Sequence, residues 1–454
     1  MRVALFTEVY LPAVNGVVTH VKTLKEGLEQ LGHEAVIVTA DSNVKKTRTE
    51  GDIIYCPAIK LEKLYGYDVA SPISADRLKA IKDFDPDIIH IHNEFGIGIS
   101  GAMMARQLKI PLVYTMHTMY DDYVYYVANN EHLRELITNV SHKYARLLAR
   151  SATAITGPSK KVGEYFRRCG VYKPVTVIPN SVEVETFNRD NVDKGKIAEV
   201  REKYGFSAED LVFCFCGRMG QEKNVEVLLD FWAKNVKAED GMKLLLIGGG
   251  PQLEEFSAYA DKLGVNNTVK FTNRIEHSDI PPYYAACDCY LTASLTECHS
   301  ISMMEGMATG MPVLTIRDEL NADQIEEGVN GFYFRDADEM YSHMKKLREM
   351  PRQELEKLQR QSRATIVASG AQTIADHLLA VYEQAIRDFD RKQMAGSLYN
   401  LYKPSRPKRN PAVKTERAGK TDKLRRRQRE RAARQIRRQH RRKHSKQFTL
   451  HSKQ

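Results

Sequence analysis

The sequence predicts an α/β protein with two domains, each a parallel sheet covered by helices. Short apolar runs alternate with helix-length amphipathic stretches, this alternation stops over the polar segment 183–203, and it then starts again. A chain of 454 residues is also too long for a single hydrophobic core. Since ligands of such sheets bind beyond the carboxyl ends of the strands, we expect the chemistry in loops that follow strands.

Six strands are predicted in the first half. The chain opens with the apolar run Arg2–Phe6, a loop over residues 7–16, and a helix with apolar residues at helical spacing that Gly32 ends. The other strands are Ala35–Thr39, Asp87–His92, Leu112–Met116, Ala154–Thr156 and Val175–Ile178. Stretches of helical length separate them, which favours parallel pairing.

Five strands are predicted in the second half, beyond a linker at 183–203. They are Leu211–Cys216, Lys243–Ile247, Val269–Thr272, Cys287–Leu291 and Pro312–Ile316. A final amphipathic helix is expected over Thr373–Asp388. We therefore predict domains over residues 1–185 and 200–370, a crossover helix over 371–395 that packs back on the first domain, and a tail over 400–454.

The composition is that of an ordinary globular enzyme. Hydrophobic residues make up 42% of the chain, and no stretch approaches the roughly 18 consecutive apolar residues of a membrane-spanning helix. The first residues lack the basic segment and apolar core of a secretory signal, so we expect a cytoplasmic protein. The seven cysteines form no Cys-x-x-Cys pair, and we expect no metal site.

The charge is unevenly distributed along the chain. Residues 401–454 carry 21 Lys and Arg against 3 Asp and Glu, a net charge of +18, so the remaining chain carries −8. We expect this polybasic tail to be disordered and to contact a membrane through Arg425, Arg426, Arg427, Arg437, Arg438, Arg441 and Arg442. Each cation near an anionic leaflet contributes on the order of 1 kcal/mol. A nucleic-acid-binding arm has the same composition and remains an alternative.

Two carboxylates eight residues apart mark the run 294–313, which follows a predicted strand. Glu297 and Glu305 flank a polar loop and a helix start, and a glycine ends that helix. This run resembles the Glu-x7-Glu signature of the retaining glycosyltransferases of family four, which have the GT-B fold. An incidental spacing at an exposed helix start is the alternative explanation.

The resemblance implies a role for each residue of this run. Glu297 would act in catalysis and contact hydroxyls of the donor sugar, and Glu305 would hold the ribose of the nucleotide. His299 and Ser300 would lie beside the donor sugar, and the amides at the helix start would face the donor phosphates. The family usually has Gly-Phe-Gly where this chain has Cys298, His299 and Ser300.

A second loop carries two cations. Residues 217–224 follow the first strand of the second half and resemble the family's Gly-Arg-x4-Lys loop, which implies that Arg218 and Lys223 bind the donor diphosphate. The leaving diphosphate gains negative charge as the glycosidic bond breaks, and two cations can stabilise that charge without a metal. The turn at Gly249 and the loop at Arg274 resemble family segments beside the ribose and base of the nucleotide.

Two loops of the first half also match the family. Gly16 lies in a loop that resembles the glycine loop at the donor diphosphate, where only glycine lets the backbone come close. His117 follows a predicted strand where the family often has a catalytically important histidine; a core histidine bonded to backbone is the alternative. The Gly-x-Gly-x-x-Gly run at 96–101 matches a dinucleotide fingerprint, but we predict tight helix packing there, since the next strand does not end in an acidic residue.

The resemblance covers roughly residues 1–390 and implies a reaction. The acceptor-binding first domain would face the donor-binding second domain across a cleft. Configuration would be retained, with the leaving phosphate oxygen helping to deprotonate the acceptor and no protein nucleophile. The chain looks similar to bacterial enzymes that glucosylate diacylglycerol. We therefore expect transfer of glucose from UDP-glucose, with no bound cofactor or metal, to 1,2-diacylglycerol at the inner face of the cell membrane. A soluble sugar, another cell-envelope acceptor, or a non-catalytic nucleotide-sugar-binding protein are the alternatives.

An apolar stripe marks a predicted helix of the acceptor-side domain. Its members are Leu133, Leu136, Ile137, Val140, Tyr144, Leu147 and Leu148, and the flanking cations are Arg134, Lys143, Arg146 and Arg150. A basic amphipathic helix can lie on anionic lipid, although core packing is the commoner reason for such a stripe. We predict that the stripe is mostly core and that the basic side chains form the outer face.

Overall fold

Two sheets form the body of the protein, as the alternating pattern predicts. The computed structural model describes residues 1–13, 15–61, 67–121, 124, 130–180, 182–318, 324–367 and 371–402. The chain divides into two units, residues 1–394 and residues 395–454, and the first unit contains both sheets. The seven arginines selected in the tail lie outside the described residues. Across the described residues, no helix combines the length and the apolar composition needed to cross a bilayer.

Nine strands of the described chain form the first sheet. They are β1 (Arg2–Phe6), β2 (Glu34–Asp41), β3 (Arg48–Glu50), β4 (Ile53–Leu61), β5 (Tyr67–Ala70), β6 (Ile88–Ile91), β7 (Leu112–Thr115), β8 (Ala154–Gly157) and β9 (Val175–Val177). Their order is β3-β4-β2-β1-β6-β7-β8-β9, with β5 paired to β4. The pairs β3 with β4 and β4 with β5 are antiparallel, and the other pairs are parallel. The accompanying helices are α1 (Gly16–Gln30), α2 (Ala75–Phe84), α3 (Gly96–Leu108), α4 (Glu131–Ser151) and α5 (Lys160–Arg168).

Six strands of the described chain form the second sheet, and every pair is parallel. They are β10 (Leu211–Cys216), β11 (Met242–Ile247), β12 (Val269–Phe271), β13 (Cys289–Thr292), β14 (Val313–Ile316) and β15 (Gly331–Phe334), in the order β12-β11-β10-β13-β14-β15. The helices are α6 (Lys194–Tyr204), α7 (Val225–Asn235), α8 (Leu253–Leu263), α9 (Pro281–Ala285), α10 (Ile301–Ala308), α11 (Ala337–Glu349), α12 (Arg352–Val367) and α13 (Ala371–Tyr402). Short 3-10 turns occur at Arg189–Asn191, Gln221–Lys223, Ala238–Asp240 and His277–Asp279.

Each sheet has a hydrophobic core on both of its faces. In β1, Ala4 and Phe6 pack into one core and Val3 and Leu5 into the other, because successive side chains of a strand point to opposite faces. A strand buried on both faces reads as a continuous apolar run rather than as an alternation. This is why the sequence predicts β1 and β10 at their observed bounds, and the other predicted strands within two residues.

The sequence pattern missed β3, β4, β5 and β15. The strand β4 contains Pro57, and a proline inside an apolar run argues against a strand assignment. Pro57 lies near the end of the pairing of β4 with β2, opposite Asp41, so the proline falls where the ladder is ending. The strands β3 and β5 are three and four residues long, too short for a periodic signal.

The predicted linker over 183–203 contains a helix in its second part, where residues Lys194–Tyr204 form α6. Oδ1 of Asp193 accepts the N–H of Lys196 at 3.0 Å and caps the helix start. Gly205 ends the helix in the left-handed conformation with a φ of 68°. Val200 is the one buried residue of α6, so apolar periodicity could not reveal this helix, whereas its capping residues could.

The last helix of the body, α13, packs against the first sheet. Ile374, Leu378 and Tyr382 are buried in the same core as Val3 and α1. The hydroxyl of Tyr382 also lies 2.7 Å from Nδ1 of His90 on β6. The predicted limits of the two domains, the crossover helix and the tail stay predictions.

The prediction that the apolar stripe of α4 is mostly core is wrong. Five stripe residues are exposed, by 43% to 60% of their surface, and we call them the exposed α4 stripe: Leu133, Leu136, Val140, Tyr144 and Leu147. Leu148 is the buried member of the stripe, and α4 also buries Ala145 and Ala149; this helix contacts α3 and β7. Small residues let the helix approach closely on this narrow face. Periodicity identifies an apolar stripe but does not show what covers it.

The Gly-x-Gly-x-x-Gly run lies at the start of α3. A Cβ on Gly96 would lie 1.7 Å from the carbonyl oxygen of Ala70, and a Cβ on Gly98 would lie 1.7 Å from that of Asn93. Both distances are far below a van der Waals contact. These glycines therefore serve the close packing of α3, as predicted.

Candidate active site

The first residues of α1 and α10 meet across the cleft between the two sheets. A Cβ on Gly16 would lie 3.2 Å from Cδ1 of Ile301, so a larger residue at position 16 would press on α10. Asn15 caps α1, and Oγ of Ser300 caps α10 by accepting the N–H of Met303 at 3.4 Å. The first amides of a helix lack intrahelical acceptors and favour an anion. Two helix starts therefore converge where the sequence predicts the donor diphosphate.

Lys223 and Glu297 form an ion pair beside these helix starts. Lys223 ends the 3-10 turn after β10, and Glu297 lies in the loop after β13. Their side chains are 15% and 24% exposed, and Oγ of Ser294 also donates to Glu297 Oε1 at 3.3 Å. Burial alone would raise the pKa of Glu297, but the charge and hydrogen bond of Lys223 outweigh it and hold that pKa below its usual 4.5. Glu297 is therefore ionised at neutral pH.

Arg218 contacts a second carboxylate in the same loop. Its Nε lies 3.3 Å from Oε1 of Glu222, whose side chain is fully buried. About one third of the Arg218 side chain stays exposed, at 34%. The predicted diphosphate loop lies at the carboxyl end of β10, and both of its cations are thus paired with carboxylates.

Glu305 lies on α10 with its carboxylate between two side chains that the sequence did not single out. Nε2 of His277 lies 2.8 Å from Oε1, and the hydroxyl of Tyr284 donates to Oε2 at 3.2 Å. The hydrogen bond to Glu305 outweighs burial and raises the pKa of His277 above its usual 6.5. These contacts fix the orientation of a carboxylate that is 4% exposed.

The glycine turn after β11 packs tightly against the loop that carries Arg218. Gly248 has a φ of 128°, and a Cβ there would lie 2.1 Å from the carbonyl oxygen of Gly217. A Cβ on Gly249 would lie 3.0 Å from Cβ of Arg274, so these two predicted nucleotide residues are neighbours. The Arg274 side chain is 80% exposed and pairs with Glu276 at 3.3 Å.

His117 lies in a cluster of histidines in the first domain. Its Nε2 is 3.1 Å from Nδ1 of His92, and its ring meets that of His20 edge-on at 4.7 Å between centroids. Burial lowers the pKa of His20 to about 4, and burial with neighbouring histidines lowers the pKa values of His92 and His117 well below 6.5. The three imidazoles are therefore neutral at pH 7. The alternative of a core histidine bonded to backbone finds no support in these contacts, which are to side chains.

Two further buried polar residues connect the first domain to the donor loop. Asn180 contacts Nδ1 of His20 through its side-chain oxygen at 3.1 Å, and its Nδ2 donates to the carbonyl of His299 at 2.9 Å. Lys161 donates to the carbonyl of Leu295 at 2.6 Å. Sequence reasoning missed both, although each follows a predicted strand, the position where we expected chemistry.

The structure thus brings many of the predicted site residues to one cleft. Lys223 contacts Glu297, and Gly16 lies next to the start of α10. The carbonyl of His299 accepts a hydrogen bond from Asn180 of the first domain. Arg274 lies next to Gly249 through its Cβ, while most of its side chain is exposed to solvent. The roles of these residues in binding and catalysis stay predictions.

Two family models match the chain, one in each half. Glycosyltransferase Family 4 matches residues 14–186, and Glycosyl transferases group 1 matches residues 196–366. The boundary between them falls within the segment that the sequence predicted as a linker.

Curated relatives and solved structures agree with these matches. The alpha-monoglucosyldiacylglycerol synthase of Streptococcus pneumoniae is 32% identical over 69% of this chain and 70% of its own. The enzyme of the same name from Acholeplasma laidlawii is 27% identical over 77% of this chain and 89% of its own. The crystal structure of HepE from Anabaena with UDP and glucose superposes with a TM-score of 0.65 at 18% identity, covering 85% of this chain and all of that one.

Proposed function

The chain belongs to glycosyltransferase family 4, with the GT-B fold, and we propose that this hexosyltransferase moves glucose from UDP-glucose to 1,2-diacylglycerol at a membrane surface. The observation that carries the lipid acceptor is the exposed α4 stripe, on the domain opposite the donor loops. The relatives from Streptococcus pneumoniae and Acholeplasma laidlawii are named for the same acceptor. The proposed transfer reaction takes place in the donor cleft.

In this proposal the donor diphosphate lies between the starts of α1 and α10. Lys223 and Arg218 neutralise the charge that develops on the leaving phosphate, so no metal is needed there. Glu297 accepts hydrogen bonds from the hydroxyls of the glucose, and Glu305 accepts those of the ribose. His277 and Tyr284 support this role, because they hold the Glu305 carboxylate in one orientation.

The reaction proceeds with retention of configuration. The bond between the anomeric carbon and the phosphate oxygen breaks, and the acceptor oxygen forms a bond to the same face of that carbon. The acceptor proton passes to the leaving phosphate oxygen, so the protein supplies no nucleophile. His117 lies at the acceptor side of the cleft as a neutral hydrogen-bonding group.

The exposed α4 stripe fits a lipid surface in length and charge. It spans residues 133–147, about 21 Å at 1.5 Å per residue. Arg134, Lys143 and Arg150 are exposed on the same helix. An amphipathic helix with an apolar face and flanking cations lies in the plane of an anionic membrane surface. Docking there would bring the cleft to an acceptor that does not leave the bilayer.

Glycolipid synthesis in vesicles tests the donor half of the proposal. Purified full-length protein, UDP-glucose and vesicles of diacylglycerol with anionic phospholipid should yield glucosyl diacylglycerol. Glu297→Gln should lower the rate by at least about a hundredfold, since an interaction worth roughly 3 kcal/mol in the transition state is lost. Glu254→Gln, at an exposed position of α8, is the matched control and should leave the rate unchanged. Efficient transfer to a soluble sugar with none to diacylglycerol would overturn the lipid acceptor.

Vesicle sedimentation tests the acceptor half. In the double variant Leu136→Asp, Leu147→Asp, each site loses a side chain that is about 60% exposed in the free protein. Burying that remaining surface in lipid contributes on the order of 1 kcal/mol per leucine, so we expect at least tenfold weaker vesicle binding. Ile73→Asp changes an equally apolar exposed residue off α4 and should bind like the unaltered protein. Unchanged binding of the α4 variant would remove the support that this helix gives to a lipid acceptor.

A further inference from the structure

Three histidines from three separate elements meet in the first domain. His20 lies on α1, His92 follows β6 and His117 follows β7. One nitrogen of each ring lies within 4.8 Å of those of the other two. His20 and His92 are 2% and 1% exposed. The histidines therefore form a cluster at the carboxyl ends of neighbouring strands rather than a row on a surface.

The hydrogen bonds of the cluster leave two buried nitrogens without a partner. Nδ1 of His20 contacts the side-chain oxygen of Asn180 at 3.1 Å, so this nitrogen is the donor and Nε2 carries a lone pair. Within the described residues, neither Nε2 of His20 nor Nε2 of His92 has a hydrogen-bond partner. Leaving a buried polar atom unsatisfied costs about 1–3 kcal/mol, so the lone pair on Nε2 of His20 indicates a missing partner within the cluster.

A divalent cation with tetrahedral coordination would supply the missing partner of Nε2 of His20. Nδ1 of His92 and Nε2 of His117 form a hydrogen bond of 3.1 Å, which a cation bound to both nitrogens would replace. This separation is close to the edge of about 3.3 Å in a tetrahedron with zinc–nitrogen bonds of 2.0–2.1 Å. Metal-ligating histidines usually donate their other N–H to an oxygen, and Asn180 provides that oxygen for His20. Three imidazoles without a carboxylate suit Zn²⁺ and Co²⁺ rather than Mg²⁺ or Ca²⁺.

We propose that His20, His92 and His117 bind one Zn²⁺-class cation, and that the bound cation switches the transferase off. His117 is the partly exposed member of the cluster, so a cation can reach the site from its side. A cation there holds the His117 ring in place, replaces its contact with His92 and adds positive charge to the first domain. The effect on transfer rests on the proposed function, whereas the binding itself does not. Because a chelator removes the cation, we expect it to reverse the inhibition of glucose transfer.

Cobalt titration of the full-length protein tests the site directly. Co²⁺ should bind at one ion per chain with the visible absorption bands of a tetrahedral complex, and Zn²⁺ should displace it. His20→Asn should abolish these bands, and Asn180→Ala should weaken binding by about 10- to 100-fold because it removes the orienting oxygen. His132→Asn, at an exposed position of α4, is the matched control and should bind like the unaltered protein.

The unaltered protein decides the outcome even if a variant fails to fold. Absence of tetrahedral bands in the unaltered chain, or bands that persist in folded His20→Asn, would overturn the site. Zn²⁺ should lower glycolipid synthesis at least tenfold, and EDTA should restore it; binding without inhibition would overturn the switch. If UDP-glucose gives no glycolipid at all, the proposed function fails while the cobalt titration still reports on the site.

Discussion

Replacing Lys223 with methionine removes the cation that keeps the mostly buried Glu297 ionised. Breaking a buried ion pair by removing one partner costs about 3–5 kcal/mol, and we expect roughly 3 kcal/mol because 15% and 24% of the two side chains stay exposed. In the unaltered protein the folded pKa of Glu297 is below 4.5, so its ionisation stabilises the fold above pH 4.5 and this contribution is lost as the pH falls. Without Lys223, burial dominates and moves that pKa above 4.5, so the variant loses stability as the pH rises. The difference between the two proteins should therefore grow from acidic to alkaline pH.

Urea unfolding at pH 4.5 and pH 8 measures this difference. We expect a gap of about 3 kcal/mol at pH 8 and less than about 1 kcal/mol at pH 4.5. The double variant Lys223→Met, Glu297→Gln removes both charges and should recover most of the stability at pH 8 without recovering transfer. Lys345→Met, at a 57% exposed side chain, is the control for loss of a positive charge. An equal gap at both pH values, or a double variant as unstable as the single one, would refute the reasoning.

Three further changes test the geometry of the cleft. Gly248→Ala should destabilise the fold by at least about 3 kcal/mol in urea unfolding, since the added Cβ would lie 2.1 Å from a carbonyl oxygen. Gly264→Ala is the control: a Cβ there has no atom within 4 Å, and this change should cost about 1 kcal/mol. Asn180→Ala should lower kcat/KM at least about tenfold through loss of its bonds to both domains, and an unchanged value would show that they do not position the cleft. His277→Gln should lose more stability at pH 6 than at pH 9, because Glu305 raises the pKa of His277 and that contribution is lost as the pH rises through the raised value; equal losses would contradict it.

The fold could be predicted from the sequence wherever burial alone decides the structure. The strand β10 is apolar throughout, and β1 is apolar after Arg2, because helices cover both faces of their sheets. The helix α6 and the strand β4 escaped detection because one has a single buried residue and the other contains a proline. The exposed α4 stripe shows the converse error, since an apolar pattern does not reveal whether protein or lipid covers it.

The candidate site could be predicted as a set of residues but not as a set of contacts. Glu297 and Lys223 came from separate motifs, and only the pairing of β10 with β13 brings their loops together. Asn180 and the histidine cluster depend on contacts between residues far apart in the chain, such as 20 with 92 and 20 with 180. No local pattern encodes such contacts, because the topology of the sheet creates them.

The return of α13 to the first sheet has a consequence for the order of events during translation. The core on one face of β1 contains Ile374, Leu378 and Tyr382, which leave the ribosome roughly 200 residues after the last strand of that sheet. At about 5–20 residues per second, the nascent first domain lacks the part of this core that α13 contributes for some 10–40 seconds, while α1 can already pack on the same face. His90 gains its Tyr382 partner only at the end of this interval. The hydrogen bond between these two residues therefore forms after the whole donor half has been synthesised.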